Sequence, residues 1–461
     1  MPLHPTVEEW DTDVVAGDPL RFPGYEERRR ALVESGEAVV TGRTADYAFV
    51  DGRFDVLGGT MGAAAGERVV RAYDRARDLR LPMVVTTRTG GARLQEGMVA
   101  LVQLARTASA AARHASAGLL SLAIHGSPTT GGVYASYGSL VDVRAAAVRA
   151  VLGFAGPRVA EGALGTPLPP GSHTAEAAYE AGLVDELVSA ADGADAAQWV
   201  EVALGRTARP LPTRPLPACA DPGAAGAWGE VLRARAPGRP TGIDRAARLC
   251  SSWLELRGRD PVVRAGLATV AGQRCVVVAT DRHHGTGRPT PAGFRLAQRA
   301  VGLAGRMGLP VVTLVDTPGA DPSAAAESDG QAQEIARTFR AFAECPTPVV
   351  SVCVGEGGSG GALALSYADR LLVQEHAVFS VIAPEGAAAI LERDPGRAAD
   401  VADRLRLASG DLLALGVVDE VLAEGQAALD AGVAAALAAA RPGEREARFD
   451  AATHRWLVGP S

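Results

Sequence analysis

The stretch LPVVTLVDTPG, residues 309–319, carries the clearest information on the fold of this chain. An apolar strand, VVTLV, opens after Leu309-Pro310, and the segment ends at the turn residues Pro318-Gly319. Apolar residues at helical spacing lie on both sides of it, in residues 294–307 and 332–342. A strand between two helical segments predicts an α/β domain.

The first half of the chain repeats this pattern. Leu81-Pro82 opens the strand MVV, the segment ends at Gly90-Gly91, and residues 67–79 and 98–115 are predicted helices. Two later landmarks recur, and their intervals from the opening proline differ by one residue between the halves. These landmarks are Gly131-Gly132 with Gly360-Gly361, and Pro157 with Pro384. The repeat is too long for a short-period solenoid, so we predict two copies of one α/β domain.

The stretch between the halves is rich in proline, alanine and arginine. Residues 206–225 contain five prolines, which is typical of a linker. We therefore predict an N-terminal domain over residues 1–205, a linker over 206–225 and a C-terminal domain over 226–461. A length of 461 residues agrees with two or three domains.

Composition excludes several classes of protein. The chain has no lysine, so all 46 basic residues are arginine. This excludes a Schiff-base lysine, a Walker A lysine and a biotinyl-lysine on this chain. The net charge of −7 argues against nucleic acid as a partner. No apolar stretch reaches 18 residues without a break, so no transmembrane helix is predicted.

The five cysteines are scattered, and the nearest two, Cys345 and Cys353, are eight residues apart. A zinc ribbon needs two close pairs, so we predict neither a zinc ribbon nor another metal site. Scattered thiols suit a reducing compartment, and the acidic N-terminus does not resemble a signal peptide. We therefore expect a cytoplasmic protein that does not associate with a membrane.

The Gly pairs are the candidate sites. A Gly pair between a strand and a helix lets the backbone turn tightly, and the free amides at the helix start can bind an anion or a thioester enolate. Tight packing of helix on strand is the better explanation for one such pair alone. Two pairs in register within a repeat favour paired oxyanion sites. Residues 355–361 contain no clean dinucleotide-binding pattern, no serine stands in a nucleophile elbow with a suitably ordered histidine, and no HxxxH pair is present.

Several motifs in the first half resemble the β subunit of acetyl-CoA carboxylase carboxyltransferase, and several in the second half resemble its α subunit. The first set is FDVLGGTMG (54–62), GER (66–68), TGGARLQEG (89–97), PTTGG (128–132) and GFAGPR (153–158). The second set is DTPGA (316–320), GQ (330–331), GEGGSGGA (355–362) and PEG (384–386). The resemblance covers roughly residues 18–190 and 226–425. It identifies the chain as a natural β–α fusion of an acyl-CoA carboxylase.

The resemblance implies a fold and a reaction. The fold is α/β, with two tandem crotonase-like domains of the ClpP/crotonase spiral type. The reaction transfers a carboxyl group from carboxybiotin to the α-carbon of an acyl-CoA, such as acetyl-CoA. In such enzymes no side chain is the base, because the ureido nitrogen of biotin takes the α-proton.

The resemblance also implies partners. It implies a homo-oligomer, at least a dimer, in which the N half of one chain faces the C half of another. Because the chain has no lysine, biotin must be delivered by a separate biotin carboxyl carrier protein. A biotin carboxylase subunit must carboxylate that biotin, since the chain has no Gly-rich ATP module.

Individual residues receive roles from the same resemblance. By position, Gly131 and Gly132 should form one oxyanion hole, and Gly361 and Ala362 the other. Gly90, Gly91 and Ala92 should shape the CoA side. The remaining predicted substrate-binding residues are Arg93, Gly319 and Gly360.

The chain departs from the family pattern near the expected pockets. The zinc ribbon common on free β subunits is missing, Thr89 and Ser127 stand where Ser and Asp are usual, and Asp321 replaces a common aromatic. Ser328-Asp329 stands where Glu-Arg or Glu-Glu is usual. These departures leave the acyl group open. A biotin-independent malonyl-thioester decarboxylase and a non-catalytic scaffold subunit are the alternatives to a carboxyltransferase.

Five carboxylates in these motifs are candidate bases, and each has a structural role available. Acids early in a helix favour the dipole, a carboxylate at a strand end can accept from the amides of Thr317 or Gly319, and others can orient a loop or be solvated. We expect none of them to be the essential base. They are Glu67, Glu96, Asp316, Glu356 and Glu385.

Overall fold

A computed structural model describes residues 3–219 and 222–457 of the chain. The chain divides into two compact units, unit 1 and unit 2, between Thr207 and Ala208. The strands of unit 1 are β1 (Glu8–Trp10), β2 (Val39–Arg43), β3 (Ala48–Gly52), β4 (Met83–Thr89), β5 (Ser121–Thr130), β6 (Val143–Ala147), β7 (Leu152–Gly153) and β8 (Glu186–Val188). Its helices are α1 (Tyr25–Ser35), α2 (Ala63–Asp78), α3 (Met98–Ser116), α4 (Gly131–Tyr134), α5 (Pro157–Leu164), α6 (Ala175–Glu180) and α7 (Ala194–Ala203).

Unit 2 has a corresponding set of elements. Its strands are β9 (Cys250–Leu256), β10 (Val263–Val270), β11 (Gln273–Thr280), β12 (Val311–Thr317), β13 (Val349–Gly358), β14 (Arg370–Gln374), β15 (Val378–Ser380) and β16 (Glu420–Leu422). Its helices are α8 (Gly226–Ala234), α9 (Gly242–Leu249), α10 (Pro291–Met307), α11 (Ala324–Ser328), α12 (Gln331–Ala343), α13 (Ser359–Ala364), α14 (Pro384–Leu391), α15 (Ala398–Leu405), α16 (Ser409–Leu415), α17 (Gln426–Ala439) and α18 (Glu444–His454).

The two sheets have the same strand order. In unit 1 the order is β1-β2-β3-β4-β5-β6-β8 with β7 beside β5, and in unit 2 it is β9-β10-β11-β12-β13-β14-β16 with β15 beside β13. Each sheet begins with antiparallel pairs and continues with parallel ones. The parallel strands β12 and β13 are buried along their whole length, which is why VVTLV contains no polar alternation. The prediction of two copies of one α/β domain is confirmed.

The strands also fix the register of the repeat. Strands β4 and β12 have the same length and start 228 residues apart, as do β5 and β13. Pairing of Thr89 with Thr129 in unit 1 recurs as pairing of Thr317 with Gly357 in unit 2. Counted along these strands, the counterpart of Gly131 is Ser359. The Gly pairs seen in the sequence are therefore displaced by one residue from the structural repeat.

The predicted helices on both sides of each strand are present. Residues 67–79, 98–115, 294–307 and 332–342 lie, apart from single end residues, in α2, α3, α10 and α12. Helices α2, α3 and α10 each bury several alanines, and small side chains let a helix lie close to the sheet. No helix of the described residues is both long and apolar enough to cross a membrane.

Part of the predicted linker packs on unit 2. Leu211 is buried in the main core of unit 2, and Arg214 makes ion pairs with Asp244 (2.8 Å) and Asp281 (2.8 Å). Residues 220 and 221 of the predicted linker lie outside the described residues. The observed division of the chain falls at the start of the proline-rich stretch.

Candidate active site

The first Gly turn follows β4 at the carboxyl end of the unit 1 sheet. The hydroxyl of Thr89 accepts a hydrogen bond from the Gly91 amide (2.9 Å), and Gly91 has a φ of +108°, in the region that favours glycine. A Cβ on Gly131 would lie 2.7 Å from the Cα of Gly91. The turn after β4 and the start of α4 therefore approach each other backbone to backbone, and a side chain at Gly131 would separate them.

The amides in this region differ in whether they already have an acceptor. The Gly131 amide donates to the carbonyl of Phe154 (2.9 Å), so it is occupied. Among the hydrogen bonds of the described residues, the amides of Ala92 and Gly132 have no acceptor. Gly132 lies at the start of α4, where the first amides of a helix have no intrahelical partner. Gly132 and Ala92 are thus the available donors.

Both available amides line one cavity of about 550 Å³, which we call the unit 1 cavity. Its floor includes Gly91 and Gly132, which are buried. Its rim is exposed and includes three apolar side chains: Leu94, Phe154 and Val159 are 80%, 72% and 67% exposed. Five of the residues predicted from the sequence line this cavity, namely Gly90, Gly91, Ala92, Gly131 and Gly132.

Arg93 has a different position. It is fully buried and does not line the unit 1 cavity. Its guanidinium makes ion pairs with Glu37 and with Glu96 (3.2 Å), and it donates to the carbonyl of Thr60 (2.8 Å). Tyr25 also donates to Glu96 (2.5 Å). Arg93 therefore holds the cavity walls together from behind and does not reach into the cavity.

The second Gly turn has the same construction. Gly319 has a φ of +118°, and its amide donates to the Thr317 hydroxyl (3.2 Å). A Cβ on Gly361 would lie 2.6 Å from the backbone nitrogen of Ala320. Within the part of the chain that the structure describes, the amides of Ala320 and Gly361 have no acceptor. The amides of Ala320 and Gly361 are thus available, and they lie at a second close contact between two backbone segments.

The remaining predicted residues of unit 2 lie in the same region. Gly360 and Ala362 belong to α13, directly after β13. Ala362 is buried, whereas a Cβ on Gly360 would meet no atom within 4 Å. The structure therefore brings Gly319, Gly360, Gly361 and Ala362 together at the carboxyl ends of β12 and β13.

Two residues at these turns escaped the sequence analysis. Ala320 is the counterpart of Ala92, and aligning the halves through their strands instead of their Gly pairs would have identified it. Ser359 has a φ of +56°, close to the +66° of its counterpart Gly131. A non-glycine residue in this region costs on the order of 1–3 kcal/mol and is commonly found at functional sites. Nothing local in the sequence signals this conformation.

The five candidate carboxylates are engaged in structural contacts. In unit 1, Glu67 makes ion pairs with Arg71 (2.7 Å) and Arg106 (2.5 Å). Glu96 accepts a hydrogen bond from the amide of Ala63 (2.5 Å) besides those from Tyr25 and Arg93. Neither carboxylate lines the unit 1 cavity.

In unit 2 the three remaining candidate carboxylates form one cluster at the Gly-rich segment. Glu356 lies between Arg235 (2.7 Å) and Arg282 (2.6 Å), and Arg235 also pairs with Glu385 (2.5 Å). Asp316 accepts from the amide of Glu356 (2.9 Å), not from Thr317 or Gly319 as the sequence suggested. The expected solvated turn around Glu385 is thus tied into an ion-pair network.

Burial and ion pairs move the pKa values of this cluster in opposite directions. Burial raises the pKa of Asp316 to about 6, and its second carboxylate oxygen has no hydrogen-bond partner among the described residues. Burial would also raise the pKa of Glu356, but its ion pairs with Arg235 and Arg282 outweigh that effect and hold the pKa below its usual value. Glu356 is therefore a charged anchor of the loop.

The described residues contain no group of three or more His, Cys, Asp or Glu side chains arranged to hold a metal ion. The cysteines are free thiols, of which Cys219 is exposed and the other four are buried. In each unit, backbone amides without an acceptor among the described residues lie at a pair of strand-to-helix turns.

Comparison with protein families covers most of the chain. Residues 25–208 match the family described as carboxyl transferase domain. Residues 224–441 match the family described as acetyl co-enzyme A carboxylase carboxyltransferase-like. The two matches follow each other in the order that the sequence motifs predicted.

Full-length relatives carry the same two parts. The chain is 45% identical over 419 residues to the acetyl-coenzyme A carboxylase carboxyl transferase subunits beta/alpha of Salinispora arenicola (strain CNS-205), covering 85% of this chain and 74% of that protein. It is 38% identical over 412 residues to a probable biotin-dependent acyl-coenzyme A carboxylase beta3 subunit of Mycobacterium bovis (strain ATCC BAA-935 / AF2122/97), covering 88% and 82%.

Solved structures share the fold. Transcarboxylase 12S superposes with a TM-score of 0.78 at 20% identity, over 95% of this chain and 88% of that one. A single-chain, multi-domain long-chain acyl-CoA carboxylase superposes with a TM-score of 0.72 at 21% identity, over 92% and 45%. The predicted pair of crotonase-like domains is confirmed.

Proposed function

We propose the function of this chain from one premise: the chain belongs to the β/α carboxyltransferase family of biotin-dependent acyl-CoA carboxylases. It is an enzyme of that class. The substrate we propose is acetyl-CoA or a close homologue, so that the product is malonyl-CoA or its homologue. The carboxyl group comes from carboxybiotin on a separate carrier protein.

One observation carries this proposal for unit 1. The amides of Ala92 and Gly132 have no acceptor among the described residues and line the same cavity. A thioester carbonyl placed on them gains two donors that are already oriented when negative charge develops on its oxygen. The two amides lower the cost of removing a proton from the α-carbon, because they stabilise the enolate.

The second turn fits the carboxyl donor. Carboxybiotin, when bound, would supply the carboxyl group as CO2, and the ureido nitrogen freed by its loss would accept the α-proton. A planar ring can lie against Gly360, where an added Cβ would meet no atom within 4 Å. The amides of Ala320 and Gly361 would donate hydrogen bonds to the carbonyl oxygen of the ureido ring. The Gly361 position cannot accept a Cβ without a shift of Ala320.

We propose that the biotin carrier is another protein. The chain has no lysine, and biotin is attached to a lysine. We therefore propose a biotin carboxyl carrier protein and a biotin carboxylase subunit as partners.

We also propose a homo-oligomer, at least a dimer. Helix α5 buries none of its residues in the chain, and Val159 and Leu164 are exposed on it. Its counterpart α14 exposes Ile390 and Leu391. Exposed apolar side chains on a helix are common where a second protein surface packs. Transcarboxylase 12S, which the chain resembles in fold, forms a hexamer assembly.

Reconstitution tests the reaction. The purified chain is mixed with a biotinylated carrier protein, a biotin carboxylase, MgATP, bicarbonate and acetyl-, propionyl- or longer acyl-CoA, and the carboxylated product is measured. We expect product only when the carrier is present. Release of acetyl-CoA from malonyl-CoA without any carrier would identify a decarboxylase instead, and no turnover with any acyl-CoA would identify a scaffold subunit.

A further inference from the structure

We propose that Arg28 binds a phosphate group of the CoA substrate at the rim of the unit 1 cavity. This inference rests on the proposed function, because it assumes that the cavity takes an acyl-CoA. Arg28 lies in the first turns of α1 and was not among the residues predicted from the sequence.

Arg28 provides a positive charge at the unit 1 cavity. Of the residues that line the unit 1 cavity, Arg28 is the one with a charged side chain. Its neighbours Arg29 and Arg30 both pair with Glu26, at 2.7 Å and 3.1 Å. Among the side chains that the structure describes, no carboxylate forms an ion pair with Arg28. Its guanidinium is therefore the cation of α1 that is available to a ligand.

Arg28 also lies where the phosphates of a bound CoA would reach. Arg28 is exposed, whereas Gly91 and Gly132 on the floor are buried, so Arg28 stands at the outer end of the cavity. CoA is a long molecule with its thioester at one end and its phosphates at the other, joined by an uncharged arm. With the thioester on the floor amides, the phosphates reach the rim. The carboxyl group of the product is next to the thioester, so it stays on the floor and does not meet Arg28.

Other lining residues of the unit 1 cavity suit the uncharged part of CoA. The lining residues Leu57, Leu101 and Leu104 are apolar, and Gln95 adds a neutral polar group. This surface suits an uncharged arm that carries amide groups. A planar guanidinium then offers paired donors that match the oxygens of a phosphate. Since the chain has no lysine, recognition of phosphate depends on arginine.

The helix that carries Arg28 is held in place by hydrogen bonds. Helix α1 is attached to the cavity wall through Tyr25, whose hydroxyl donates to Glu96 (2.5 Å) behind the cavity. Arg29 attaches the same helix to the carbonyl of Ala16 (3.1 Å). Arg28 therefore projects from a fixed backbone, which lowers the entropy cost of binding.

Calorimetric titration of the full chain tests the inference. The variants are Arg28→Ala and the matched control Arg30→Ala, which removes the same charge from the same helix but outside the cavity lining. The ligands are acetyl-CoA, acetyl-dephospho-CoA, which lacks the 3′-phosphate, and acetyl-pantetheine, which lacks all phosphates. We expect Arg28→Ala to weaken acetyl-CoA binding about tenfold and leave acetyl-pantetheine binding unchanged, because one charge-assisted contact is lost.

The arms separate the sources of the phosphate. If Arg28→Ala loses affinity for acetyl-CoA but not for acetyl-dephospho-CoA, Arg28 binds the 3′-phosphate; an equal loss for both assigns it to the diphosphate. Wild-type affinity for acetyl-CoA in Arg28→Ala overturns the inference, as does an equal loss in Arg30→Ala or with acetyl-pantetheine. If the wild-type chain binds none of the three ligands, the proposed function fails and this inference fails with it.

Discussion

Single glycines set the distance between the two turns in each unit. A methyl group on Gly361 would lie 2.6 Å from the nitrogen of Ala320, and one on Gly131 would lie 2.7 Å from the Cα of Gly91. Both distances are shorter than any real Cβ contact, so the turn must move. Because the proposed donors are amides of these same turns, a small displacement changes where they point.

We expect Gly361→Ala and Gly131→Ala to reduce turnover by about 10²–10³, the usual effect of losing one oxyanion donor, while the protein stays folded. Gly302→Ala is the control, because Gly302 is exposed in the middle of α10 and an added methyl meets no backbone. Circular dichroism verifies the fold and the carboxylation assay measures turnover. Wild-type turnover in soluble Gly361→Ala would refute the assignment of this turn.

The carboxylates provide a second test at this scale. A positioned general base contributes about 10²–10⁴ to the rate. Glu67 and Glu356 are held in ion pairs, so Glu67→Gln and Glu356→Gln should lower activity only moderately, through local instability. Loss of activity on the larger scale, with acyl-CoA binding and fold intact, would assign the base to that carboxylate.

Asp316 should affect stability through pH. Burial raises its pKa from 3.8 to about 6, so between these values the folded chain binds a proton that the unfolded chain releases. The contribution of Asp316 to stability is therefore lost as pH rises from about 4 to about 6. Asp316→Asn should remove this loss, so its unfolding free energy relative to wild type rises over that range. Urea unfolding at several pH values measures the difference, and a difference independent of pH contradicts the expectation.

At the scale of elements, α18 is attached to the unit 2 sheet by one buried ion pair. Arg445 and Asp369 are 2% and 0% exposed, and two hydrogen bonds of 3.0 Å and 2.9 Å join their side chains. Asp369 also accepts from the amide that begins β13, at Val349 (2.8 Å). The counterpart in unit 1, Asp142, accepts from the amide of Ser121 (2.8 Å) at the start of β5. The aspartate therefore belongs to the repeat.

We expect Arg445→Met to lower the free energy of unfolding by about 3–5 kcal/mol, because it leaves a buried carboxylate without its partner. Arg340→Ala, a change of a 71% exposed arginine on α12 that lies 3.9 Å from Glu344, should stay within about 0.5 kcal/mol. Denaturant unfolding followed by fluorescence gives both values. Equal stability of Arg445→Met and wild type would show that the ion pair contributes nothing.

At the scale of the whole molecule, the exposed apolar residues of α5 and α14 should be covered by a second copy. Val159→Glu and Ile390→Glu should shift the protein toward monomer without unfolding it, since a buried charge is costly in an interface. Val7→Glu, an exposed apolar position on another part of unit 1, is the control. Light scattering at micromolar concentration measures the mass. A monomeric wild-type enzyme that remains active would contradict the oligomer.

Local patterns in the sequence determined the elements and the repeat. Strands β4 and β12 are short apolar runs between turn residues, and residues close in sequence settle such elements. The motifs around Gly90-Gly91 and DTPGA were sufficient to predict the family and the two crotonase-like domains. The glycines at the turns could be identified from the sequence because a tight turn restricts which residue type can occupy the turn position.

The tertiary structure alone decided which of these residues face a ligand. The Gly131 amide is occupied by the carbonyl of Phe154, Arg93 is enclosed by Glu37 and Thr60, and Arg28 reaches the rim of the unit 1 cavity. Each of these facts depends on partners more than 20 residues away. Such contacts form only when folding brings together residues that are far apart along the chain. Periodicity and composition are properties of short segments, so they do not show which distant groups will meet.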